Sequence, residues 1–94
     1  MDVTITRLIQ CIDKEISNVN LEKQPISDIC YESMMTVLDH LSKKDTSLIS
    51  ITNKMQLKHD ECIRIHRNRP TEITQHNLNM LQMICLSFEM SFLL

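Results

Sequence analysis

Apolar residues recur along this chain in steps of three and four, the period of a helix with one buried face. Across 3–19 the stripe is Ile5, Leu8, Ile9, Ile12, Ile16 and Val19, with Arg7, Lys14 and Glu15 mostly off it, which predicts a first helix. Asn18, Asn20 and Pro25 punctuate its end. Ile26-Ser27-Asp28 then reads as a second helix start. Ser27 can cap, Asp28 suits the positive end of the dipole, and Ile26 can staple onto Tyr31.

From there no proline or glycine intervenes before Pro70. A heptad runs through the stretch, with Met34, Leu41, Leu48, Met55 and Cys62 in one set. The paired set is Cys30, Val37, Lys44, Ile51, Lys58 and Ile65. The register holds across 42–47, where a loop would be free to lose it. The pattern favours one long central helix of roughly 38 residues, about 57 Å at 1.5 Å per residue. The competing reading breaks it at Asp45-Thr46-Ser47, three acceptable capping residues, and gives four helices. Lys44 and Lys58 mark places where the seam is solvated or locally broken, because an unpaired buried ammonium is costly.

Pro70 disfavours helical geometry at Arg69, and a last helix is expected from about Thr71 or Thr74 to Phe92. Its inner stripe reads as Leu78, Leu81, Ile84, Cys85, Phe88 and Phe92, leaving Met80, Met83, Leu86 and Met90 on other faces. From Met80 to Leu94, 11 of 15 residues are apolar, more than two flanking helices can cover. Docking to a protein partner or a second copy is therefore expected of Met80, Met83, Leu86, Met90, Leu93 and Leu94. No transmembrane segment is expected, since a span needs about 20 apolar residues and Glu89 would lie inside it.

Composition narrows the function classes. The 94 residues allow one domain, 1–94, which buries only roughly 60–65% of its unfolded surface. With 43% apolar and 23% charged residues and a net charge of −2, the chain is neither a disordered tail nor a polybasic arm. It contains no glycine, which excludes a P-loop, a dinucleotide fingerprint and a nucleophile elbow. Cys11, Cys30, Cys62 and Cys85 are widely spaced among apolar neighbours, so they read as unpaired thiols rather than a disulfide framework. Residues 1–7 show no signal peptide. An intracellular setting, cytoplasmic or nuclear, is expected.

Two clusters carry candidate chemistry. His59, Cys62 and His66 share one helix face, and His76 or Cys85 could complete a zinc tetrahedron. Structural zinc sites place two ligands on a tight turn, however, and Cys62 belongs to the apolar seam. The preferred reading is two surface histidines flanking a buried cysteine, with no metal or other cofactor. Cys62 has His66 one turn away but no oxyanion site, so no enzymatic activity is expected. The second cluster is Lys54, Lys58, Arg64, Arg67 and Arg69, a possible phosphate contact. No aromatic residues interleave with it for base stacking, and cations also suit the negative end of a helix. Nucleic acid is thus a secondary expectation.

The stretch His66-Arg67-Asn68-Arg69-Pro70-Thr71-Glu72-Ile73-Thr74-Gln75-His76-Asn77-Leu78 resembles the loop and last-helix entry of histone-fold proteins. A basic run and a threonine precede an aliphatic–Thr–x–x–amide–aliphatic pattern, and the short–long–short helix order is similar. The likeness covers 13 of 94 residues. It implies a handshake dimer with Arg67, Arg69 and Thr71 near phosphate. The stretch from Ser27 to Thr71 is longer than that family's central helix and lacks its small residues.

The sequence therefore reads as an all-α bundle: a short amino-terminal helix, a long central helix with a possible break near 44–47, and an apolar carboxy-terminal helix. The expected function is a non-enzymatic scaffold or adaptor subunit working through helix–helix association, including coiled-coil pairing. The alternative is a histone-fold-like or otherwise basic DNA-associated subunit.

Overall fold

The computed structural model describes residues 3–68 and 70–93, and side chains over 6–68 and 70–89. It holds four helices: α1 (Val3–Asn18), α2 (Asp28–Lys44), α3 (Ile49–His66) and α4 (Gln75–Leu93), with a 3-10 turn, Thr46–Leu48, between α2 and α3. No strand occurs among the described residues.

The expected long central helix is corrected here, because α2 stops at Lys44. Asp45 is extended (φ −139°, ψ 106°), and its Oδ1 accepts from the Ser47 backbone N–H at 3.0 Å and from the Ser47 hydroxyl at 2.7 Å. That side chain offers the backbone an alternative to the helical ladder, which is how Asp ends helices. A continuous helix of about 57 Å would also outrun the protein, whose longest extent is 41 Å. No single coiled-coil seam therefore runs through the centre. The heptad nonetheless marks the core. Met34, Leu41, Leu48, Met55 and Cys62 are all buried, because both halves turn the same stripe onto one interior. Lys44 is exposed and Lys58 half-buried, so neither ammonium is enclosed.

Helix directions follow from a few contacts. The Tyr31 and His59 rings stack at 3.7 Å, so α2 and α3 run antiparallel. Ser27 meets Asn77 and His40 meets Phe88, so α2 and α4 run parallel. Lys54 pairs with Asp13 and the His66 Nε2–H donates to the Leu21 carbonyl at 2.7 Å, so α1 and α3 run parallel. Both α1 and α2 pack against α3 and α4, which places α1 and α2 on one diagonal of the bundle. The connections 19–27 and 67–74 consequently span opposite diagonals at the same end and cross. Such crossover links are an established variant of the four-helix bundle. This arrangement differs from the short–long–short order that the histone-fold likeness implies.

The crossing is pinned by hydrogen bonds. Within the inner connection Val19, Leu21, Ile26 and Ser27 are buried, while Arg67, Thr71, Glu72 and Ile73 of the outer one are exposed. The Asp28 N–H donates to the Pro70 carbonyl at 2.8 Å, and the Ile26 N–H donates to Cys62 Sγ at 3.2 Å. Ser27 caps α2 as its sequence predicts, accepting from the Cys30 N–H at 3.1 Å. With no glycine available, Arg67 takes the left-handed conformation (φ 57°) that ends α3.

Candidate functional site

The entry to α4 decides which side of that helix faces inward. Thr74 Oγ1 accepts from the Asn77 N–H at 3.2 Å, and Asn77 Oδ1 lies 3.5 Å from the Thr74 N–H, a reciprocal cap. The same Asn77 Oδ1 accepts from the Ser27 N–H at 3.0 Å, across fifty residues of chain. A buried N–H without an acceptor is costly, so Asn77 is held at the interior and carries the helix rotation with it. Among the described residues the buried positions of α4 are accordingly Asn77, Met80, Ile84 and Ser87, at helical spacing. The Ser87 hydroxyl donates to the Met83 carbonyl at 3.1 Å, so it too tolerates burial.

This rotation corrects the expected inner stripe and removes Met80 from the expected docking arc. Ile84 is inside as anticipated, but Leu78 is 45% exposed, and Leu81, Cys85 and Phe88 are only partly buried. Met80, expected on an outer face, is 1% exposed. Met83 is partly buried against the core, and Leu86 is exposed. The side chains of Met90, Phe92, Leu93 and Leu94 lie outside the described residues. Sequence reasoning missed Asn77 and Ser87 because apolarity alone was used to place the stripe. The Thr74-x-x-Asn77 cap was the available signal.

The half-open flank of α4 lies beside α2. At 5.2 Å the His40 and Phe88 rings meet edge to face, and near the other end Ser27 meets Asn77. Ile29, which is 63% exposed, together with Ser33, Val37 and His40 continues the surface onto α2. Val37 is partly buried and packs on the core. The result is a two-helix face with an apolar centre. By helical spacing Glu32 and Lys43 edge it on α2, and Gln82 and Glu89 edge it on α4; all four are exposed.

The basic residues do not converge. Lys54 Nζ sits 2.6 Å from Asp13 Oδ1 and donates to Ser17 Oγ at 2.9 Å, so its charge is already answered. Arg64 lies 3.7 Å from Glu61 on its own helix. Lys58 is half-buried, Arg67 and Thr71 are exposed, and Arg69 lies outside the described residues. A cleft of about 360 Å³ opens between α1 and α3 beside Lys54, floored by Ile9 and Ile51 and rimmed by Ser47 and Ser50.

The histidine and cysteine cluster is likewise dispersed. His59 is buried rather than on the surface, a correction; its ring is stacked on Tyr31 and its Nε2 is 3.5 Å from Asp28 Oδ1. Its neighbour Cys62 is committed to the Ile26 N–H, and His66 to Leu21. His76 Nδ1 faces Glu15 at 3.1 Å. Among the described residues no three His, Cys, Asp or Glu side chains are grouped to hold a metal ion. Burial pushes the Cys62 thiol up from its ordinary value, away from the thiolate that a nucleophile needs. The Tyr31 hydroxyl is also pushed up, by burial first and then by Asp60, Asp39 and Asp28.

Among the described residues no helix is long and apolar enough to cross a membrane. Compared with known proteins, the chain matches no family model, no curated sequence and no solved structure.

Proposed function

We propose that this protein is a non-enzymatic helical scaffold or adaptor subunit that acts through helix–helix association on its α2–α4 face. The observation that carries the reading is the rotation of α4. That helix buries Asn77 and Ser87 while leaving Leu78, Leu81, Cys85 and Phe88 partly or largely open. Leu81 and Phe88 already pack on the core, so the apolar surface left uncovered is Leu78 with part of Cys85, beside the exposed Ile29 of α2, and a second surface would cover it. Unpaired Cys11, Cys30, Cys62 and Cys85 fit a reducing, intracellular setting.

The DNA-associated alternative is weaker, because Lys54 is neutralised by Asp13 and the α2–α4 face is edged mainly by carboxylates. Light scattering on the purified chain tests the reading. Masses above the 11.0 kDa chain are expected, falling back to it in Leu78→Glu with helical circular dichroism retained. A mass unchanged by Leu78→Glu overturns it, as does duplex-DNA binding with a steep salt slope.

A further inference from the structure

We draw no further inference here: the strongest candidate, the exposed apolar patch of Ile29 and Leu78 on the α2–α4 face, belongs to the association surface already described, and nothing in the structure shows what covers it.

Discussion

The buried side of α4 and its α2-facing flank differ in an unexpected direction. The buried side holds Asn77 and Ser87 beside Met80 and Ile84, while the half-open flank holds Leu78, Leu81, Cys85 and Phe88. Apolarity by itself placed Ile84 inside, but it also turned Leu78 inward and Met80 outward, the opposite of what is found. The difference teaches that hydrogen-bond satisfaction at a helix entry can outweigh a modest gain in apolar burial. Asn77 Oδ1 accepts from the buried Ser27 N–H at 3.0 Å, and leaving a buried donor unmet costs about 1–3 kcal/mol. Rotating the helix to bury Leu78 fully would gain a comparable or smaller amount, because that side chain is already half covered.

The comparison breaks most decisively at Ile84. Ile84→Ala should destabilise the fold by about 2–5 kcal/mol in urea unfolding, whereas Leu78→Ala should cost well under half as much. Equal losses would mean that the two sides of α4 are not distinct. Next in size, Asn77→Ala should cost about 1–3 kcal/mol and raise amide exchange at Ser27, because the buried Ser27 N–H loses its acceptor. An Asn77→Ala variant as stable as the parent would show that the cap does not set the helix rotation.

Alkaline titration sharpens the contrast between the locked interior and the open flank. Cys62 and Tyr31 both have folded-state values raised above their unfolded ones, so the folded protein holds those protons more tightly. Their stabilising contribution is fully present below the unfolded thiol value, about 8.5, and is lost as pH rises through the folded values. Stability in urea should therefore fall above about pH 8.5, and Cys62→Val should flatten the first part of that fall. A profile that rises with pH, or an unchanged slope in the variant, would contradict the assignment.

Smaller effects are expected at the surface. Lys54→Ala should cost about 0.2–1 kcal/mol, less at high salt, since both partners of its ion pair with Asp13 are partly exposed. Replacing the left-handed Arg67 by glycine should be neutral or stabilising by up to about 1 kcal/mol in thermal melts. A clear loss would mean that the arginine side chain holds the crossing of the two connections.

By itself the sequence determined most, though not all, local features whose cause lies within a few residues. The helical period, the Ser27 cap, the end of α1 near Asn18 and the heptad positions that reach the core all rest on backbone geometry and neighbouring side chains. The row Leu78, Leu81, Cys85 and Phe88 was also legible as a stripe, but which side it would face was not. Tertiary structure alone decided two things. One was the choice between a straight and a broken central segment, which the periodicity fits equally well: the Asp45–Ser47 cap is local and was one of two readings, and the packing of α3 back onto α2 selects it. The other was the rotation of α4, set by the hydrogen bond that the Ser27 N–H donates to Asn77 Oδ1 fifty residues away. Periodicity records that a face exists, and only the partners brought to it by the fold decide whether that face turns inward.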